Sequence, residues 1–230
     1  MNRLQTRGIV LKRTDYGEAG RIVTVLTPDH GKLRLMAKGV RKPKSKLAGG
    51  IELFSVSDMT FIRGRGDIGT LISTRLAKHY GQIVNDIARV QLGYDLLKSL
   101  DKATEDEPEE AYFNLLEAAL KALNDPKTGT DLIRVWFGAQ LLKLAGHSPN
   151  LKTTANGQDL TAGQQYVFDF EHMSFEPERR GSFGADDIKF LRLLFGGHSP
   201  AALGRIKDSE KLTARTSPLV TTMLGNHIRV

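Results

Sequence analysis

Over the first 80 residues, apolar side chains recur with the rhythm of β-strands. Ile9-Val10-Leu11 and Ile22-Val23-Thr24-Val25-Leu26 are short β-branched runs bounded by turn residues. The stretch from Asp15 to Gly20 separates them, and Pro28-Asp29-His30-Gly31 closes the next hairpin, with Gly31 suited to a positive φ. A third run alternates: Leu33, Leu35, Ala37 and Gly39 share one face, and Lys32, Arg34, Met36 and Lys38 share the other. A fourth strand is predicted from about Ile51 to Ile62. A fifth, from Ile68 to Leu76, follows the Gly64-Arg65-Gly66-Asp67 turn. Five antiparallel strands in so short a segment cannot bury both faces of a flat sheet. Closure into a small barrel supplies a core and removes the free edges, and the five-stranded OB-fold is the solution of that size.

After His79 the period lengthens. Ile83, Ile87, Val90, Tyr94 and Leu97 recur at three- and four-residue spacing and predict an amphipathic helix. Thr104 and Glu107 resemble a capping box opening a second helix, which carries Leu115, Ala119 and Leu123. A third helix, from about Asp131 to Ala145, is apolar on nearly every side and should be the buried centre of a helical domain; Gly146 and Pro149 stop it. In residues 147–181 a polar stretch gives way to Tyr166, Phe168, Phe170, Met173 and Phe175, which predicts a small inserted β-hairpin. Ile188, Leu191, Leu194 and Phe195 mark another helix, ending at Gly196-Gly197. Ser199-Pro200 and Ser217-Pro218 read as further helix starts. The expected class is α+β: an OB-fold barrel over residues 1–80, then a mainly helical domain over 81–230 with an insert at about 147–181.

Charge sharpens this picture. Residues 1–80 hold 16 Lys/Arg against 6 Asp/Glu, residues 81–125 hold 4 against 10, and residues 126–230 hold 13 against 10, within a net charge of +7. The positive excess belongs to the barrel, and a block of that kind attracts a polyanion, of which nucleic acid is the commonest large one in a cell. The acidic stretch falls largely at the start of the second helix, where it suits the helix dipole. With Cys 0, the sequence excludes disulfides, thiolate metal sites and cysteine nucleophiles. No run reaches signal-peptide or membrane-span length, so the expectation is a soluble, cytoplasmic protein.

The strongest chemical signal is the segment from Lys32 to Gly50. It contains Lys32, Arg34, Lys38, Arg41, Lys42, Lys44 and Lys46, with no acidic residue between Asp29 and Glu52. The first three share a strand face, and the other four sit in a loop punctuated by Pro43, Gly49 and Gly50. A basic strand face continuing into a mobile basic loop suits a phosphodiester backbone, which rewards charge and tolerates imprecise geometry. Seven cations without a partner would repel one another.

Aromatic residues fit for stacking are few in the barrel: Tyr16, Phe54, Phe61 and Tyr80. Tyr16 is the one candidate, and backbone-dominated binding with little sequence preference follows. The literal G-x-G-x-x-G at Gly64 to Gly69 is followed by strand-like alternation, so it is a hairpin turn and not a dinucleotide site. The six histidines are scattered, and no phosphate-binding loop, catalytic elbow or metal-ligand spacing appears. No enzyme, cofactor or metal is expected. An RNA-binding or translation-associated OB module shares the basic barrel and stays open at this point.

Three stretches, Gly8-Ile9-Val10-Leu11, Leu26-Thr27-Pro28-Asp29-His30-Gly31-Lys32 and Ala37-Lys38-Gly39-Val40-Arg41-Lys42-Pro43-Lys44-Ser45-Lys46-Leu47, in this order and spacing resemble the RecO family of bacterial recombination mediators. The resemblance implies an N-terminal OB-fold and a nucleoid-associated protein that binds single- and double-stranded DNA and anneals complementary strands. It also implies partnership with RecR in helping RecA replace single-strand-binding protein. On the family's pattern, DNA contacts fall to Arg34 and Lys38, then Lys32, Arg41, Lys42, Lys44 and Lys46, with Arg21 as a neighbour on the second strand. Many members hold a zinc knuckle on four cysteines in the insert. This chain has none, so its insert is expected to rest on Tyr166, Phe168, Phe170 and Phe175. The family's docking of the acidic, apolar-ended tail of single-strand-binding protein points to Arg134, Lys143 or Arg192 near Phe195.

Overall fold

The computed structural model describes residues 2–64, 66–104 and 109–228. Five strands, β1 (Arg3–Tyr16), β2 (Gly20–Leu26), β3 (Lys32–Ala37), β4 (Ser55–Ile62) and β5 (Ile68–His79), close into a barrel in the order β1-β2-β3-β5-β4. Neighbours are antiparallel except β3 and β5, where Arg34 faces Ile68 in a parallel pair. The sequence pattern suggested five antiparallel strands, but a closed ring with an odd number of strands cannot alternate throughout. One parallel seam is a matter of parity. This is the OB-fold expected from the strand count.

The interior is filled by Val10, Val23, Val25, Leu35, Ala37, Met59, Phe61 and Leu71, joined by Val40 and Ile51 from the connection between β3 and β4. In β3, Leu35 and Ala37 point inward and Arg34 outward, as alternation requires. Gly31 sits at φ +66 and closes the β2–β3 turn as expected.

The fourth strand starts later than its apolar pattern suggests. A 3-10 turn (Ala48–Gly50) precedes it, and Phe54 adopts φ +57, which takes residues 51–54 out of the ladder. The buried Phe54 ring packs on the next element, α1 (Ile87–Ala103), edge-on to Tyr94 at 5.5 Å. A Cβ on Gly93 would lie 2.6 Å from that ring, so only glycine admits the contact. Burial of the ring, about 1.5–3 kcal/mol, offsets the cost of about 1–2 kcal/mol for the left-handed backbone.

Helix α1 buries a face that only partly matches the one read from its sequence: Leu97, like Ile83 just before the helix, is covered as expected, but the rest of the stripe is shifted. Leu92, Leu96, Leu97 and Leu100 are covered, whereas Ile87 is 85% exposed and Tyr94 52%. The buried stripe contains Arg89, whose guanidinium donates to the carbonyls of Leu123 (2.8 Å) and Pro126 (3.1 Å). A charged residue inside an apolar stripe hides that stripe from hydrophobic periodicity.

Asp86 caps the start of α1, and Thr104 its end, where the Thr104 hydroxyl donates to the Leu100 carbonyl at 2.6 Å. Thr104 therefore does not open the second helix; Glu107, its expected capping partner, lies outside the described residues. Helix α2 (Glu110–Leu123) buries Leu115, Ala119 and Leu123 as its pattern requires. The compact units fall at Met1–Pro126 and Lys127–Val230, so α1 and α2 group with the barrel.

In the second unit, α3 (Thr130–Leu144) is buried on most sides, and α4 (Ala185–Phe195), α5 (Pro200–Leu203) and α6 (Ser209–His227) pack on it. Past Ala145, the amides of Gly146 and His147 donate to Lys143 and Leu142, a Schellman ending at the expected glycine. Ser199 caps α5, also as expected. Ser217-Pro218, by contrast, starts nothing, because α6 runs through Pro218. Leu212 and Thr216 before it and Leu219, Val220 and Met223 after it are buried, which outweighs the roughly 3 kcal/mol that an interior proline costs.

The insert is a two-stranded hairpin, β6 (Tyr166–Asp169) and β7 (Ser174–Pro177). Tyr166, Phe168 and Phe175 are buried, with Phe168 and Phe175 edge-on at 5.0 Å and Phe183 edge-on to Phe175 at 5.4 Å. Phe170 differs from expectation. It lies past the end of β6, 40% exposed, and meets Phe168 edge-on at 5.0 Å.

Candidate nucleic-acid interface

The basic segment begins on β3. Arg34 is exposed on the outer surface, directly across from Thr24 on β2, which in turn faces Lys12 on β1. A row of side chains therefore crosses three strands with a cation at each end. Lys12, next to Arg13 in the chain, lies outside the basic run from Lys32 to Gly50, and only the register brings it into line with Arg34.

Past β3 the chain forms a series of turns pinned to the barrel. Lys38 is exposed in the first of them, and the Lys42 and Ser45 amides donate to the carbonyls of Gly39 and Lys42. Val40 and Ile51 enter the core, Leu47 and Ala48 pack against it, and Thr74 on β5 donates its hydroxyl to the Leu47 carbonyl at 3.3 Å. The loop expected to be mobile is thus tied down at both ends, while Arg41, Lys42, Lys44 and Lys46 project into solvent. Among the described residues, Arg34, Lys38, Lys42, Lys44 and Lys46 enter no ion pair.

Arg21 and Arg41 are differently placed. The Arg41 amide donates to the Ala19 carbonyl at the β1–β2 tip (3.0 Å). Asp15 and Arg21 face each other across that hairpin, and Arg21 Nε donates to Asp15 Oδ1 at 2.8 Å. Arg41 Nη1 lies 3.5 Å from the other oxygen, Asp15 Oδ2. The Arg21 hydrogen bond, reinforced by the charges of Arg41 and Arg13, holds the Asp15 carboxyl below the usual carboxylate range.

Lys32 departs from the group. Its ammonium donates to the carbonyls of Asp101 (2.6 Å) and Thr104 (2.8 Å) and lies 3.5 Å from Asp101 Oδ1, leaving its side chain 18% exposed. It finishes the C-terminus of α1, where a cation is favoured by the dipole and by the unpaired carbonyls. Of the eight sequence-derived positions, the structure gathers Arg21, Arg34, Lys38, Arg41, Lys42, Lys44 and Lys46 around β3 and its following loop, and draws the Lys32 ammonium away. Four other barrel cations are paired, Arg13 with Glu52, Arg75 with Asp58, and Arg7 and Lys78 with Glu117, whereas Arg3, Lys12 and Arg63 enter no ion pair among the described residues.

Of the four barrel aromatics, Phe54, Phe61 and Tyr80 are buried and Tyr16 is 58% exposed at the end of β1. The glycine motif at 64–69 leads into β5, a strand, so no helix N-terminus stands there for a pyrophosphate. In the second unit, Lys143 donates to the Phe195 carbonyl (2.9 Å) and Arg192 to the Leu151 carbonyl (2.8 Å); both complete the fold, and Arg134 on α3 is not free either. Among the described residues, no group of three or more His, Cys, Asp or Glu could hold a metal ion. Among them, too, no helix is long and apolar enough to cross a membrane.

Comparison with known proteins agrees with this architecture. Residues 1–80 match the family described as Recombination protein O N terminal, and residues 85–230 the one described as Recombination protein O C terminal. The DNA repair protein RecO of Dehalococcoides mccartyi (strain 195) is 35% identical over 182 residues, 77% of this chain and 67% of that relative. Its namesake in Halalkalibacterium halodurans is 34% identical over 148 residues, 64% of this chain and 58% of the relative. The one in Moorella thermoacetica is 34% identical over 152 residues, 66% of this chain and 56% of the relative. The matched stretches thus span little more than half the length of the last two. With both parts of the chain matched and a closed five-stranded barrel leading into helices, the chain belongs to the RecO family of DNA repair proteins.

Proposed function

We propose that this chain binds single- and double-stranded DNA through the outer face of β3 and the loop that follows it. The observation carrying this reading is a run of exposed cations that enter no ion pair among the described residues, Arg34 on β3 and Lys38, Lys42, Lys44 and Lys46 on the loop fixed to the barrel. Such a surface attracts a phosphate backbone by releasing its condensed counterions, and it reads charge in preference to sequence. Arg21, Arg41 and Lys12 extend it across the β1–β2 hairpin.

Strand annealing follows from the same electrostatics. Two complementary polyanions repel each other, and a basic surface that screens both lets base pairing do the rest, with no covalent chemistry. We therefore read the chain as a non-enzymatic mediator that works in the cytoplasm. With RecR, it would help RecA take over strands coated by single-strand-binding protein.

The test is annealing of two labelled complementary oligonucleotides at low and near-physiological salt, bare and coated with single-strand-binding protein. Faster annealing that persists on coated strands supports the mediator reading. Salt-sensitive binding without annealing would sink it and favour a general nucleic-acid module, which competition with RNA would then characterise.

A further inference from the structure

We propose that Asp15 is a built-in stand-in for a backbone phosphate, so that Arg21 and Arg41 form a two-guanidinium clamp which DNA takes over from it. The inference rests on the DNA-binding reading of the barrel and names one subsite within it. Asp15 and Arg21 are cross-strand partners on β1 and β2, and Arg41 reaches the same carboxylate from the far side of the hairpin tip. Each guanidinium addresses a different oxygen, at 2.8 and 3.5 Å. A phosphodiester also presents two equivalent anionic oxygens, and the arginine fork suits either group.

All three side chains are open to solvent, Asp15 at 55%, Arg21 at 31% and Arg41 at 40%. Exposed pairs of this kind contribute little and exchange partners readily. The carboxylate keeps both guanidiniums pointed at one spot when no strand is bound. In exchange it lowers affinity, since one anion must leave before another arrives. The hydrogen bond from the Arg41 backbone N–H to the Ala19 carbonyl fixes that arginine's backbone independently of Asp15, so the clamp does not come apart when the carboxylate lets go.

The experiment measures binding of a fluorescent oligothymidylate to the full chain across a salt series. Asp15→Asn keeps the shape and an oxygen for the Arg21 N–H but removes the charge. It should bind more tightly than the unsubstituted chain. Its plot of log affinity against log salt should steepen by about 0.7, so that the gain is roughly 2.5-fold larger at about 50 mM than at about 200 mM salt. Asp15→Glu should behave like the unsubstituted chain. In an Arg21→Ala/Arg41→Ala background, checked for folding by its circular dichroism melt, the gain should vanish.

Unchanged or weaker binding by Asp15→Asn would overturn the inference. So would an equal gain in the doubly substituted background, which would make Asp15 a distant charge and no occupant of the clamp. If the unsubstituted chain showed no salt-dependent binding at all, the DNA reading would fail first and this inference with it.

Discussion

Lys32 and Asp101 are 69 residues apart in the chain, yet the Lys32 ammonium donates to the Asp101 carbonyl at 2.6 Å. One lysine thereby ties the start of β3 to the last turn of α1. Replacing Lys32 with Met keeps the aliphatic stem and strips the cap, leaving two carbonyls of the helix end without it. The expected cost is about 1–2 kcal/mol, seen as a lower urea midpoint with an unchanged slope. DNA affinity should fall less than in Arg34→Ala. An unchanged midpoint combined with a large loss of binding would return Lys32 to the phosphate surface.

Arg34→Ala together with Lys38→Ala should weaken binding for every sequence tested. If each side chain meets one phosphate, the slope of log affinity against log salt should fall by about 0.7–0.9 per residue. Titrations against several oligonucleotides at three or more salt concentrations would measure it. Loss for one sequence alone would point to base contacts instead.

Gly93→Val should destabilise the first unit by about 1–3 kcal/mol, because its Cβ would meet the Phe54 ring at 2.6 Å. Pairing it with Phe54→Ala should give a double mutant less destabilised than the sum of its parts. Simple additivity in denaturation midpoints would show that the two residues are not coupled.

Burial, with Glu117 nearby, pushes the Tyr80 phenol up from 10.0 to about 12. A group whose folded pKa is raised contributes stability that is present below its unfolded value and lost as pH climbs through the folded one. Alkaline loss of stability should therefore run from about pH 10 to about pH 12 and be reduced in Tyr80→Phe. Phenolate absorbance during a pH titration should show a late step that the same substitution abolishes.

Much of the fold could be read from the chain because alternation and turn chemistry agree there. The strands around Val23, Val25 and Leu35, the turn at Gly31 and the buried α3 all follow from local patterns. What escaped depends on partners distant in sequence. Arg89 occupies the buried stripe of α1 because carbonyls at Leu123 and Pro126 await it, and no periodicity rule foresees that. Lys32 looks like one more cation in a basic run until Asp101 arrives. The pairing of Asp15 with Arg21 is likewise hidden in a count of charges, which does not show which acid stands opposite which base. Local rules also read a helix start at Ser217-Pro218, where α6 in fact runs through, carried by packing on both sides.

Because β5 stands between β3 and β4 in the barrel, no tight turn can join those two strands, and residues 38–54 must step across the barrel's mouth. That crossing is a stopper as much as a loop. Val40 and Ile51 plug the opening from within, while Arg41, Lys42, Lys44 and Lys46 decorate its outer side. Cutting the segment out to erase its charge would uncork the barrel, and the lost binding would then report unfolding. Only exchanges at the tips of the lysines and arginines can separate what the segment holds shut from what it holds on to.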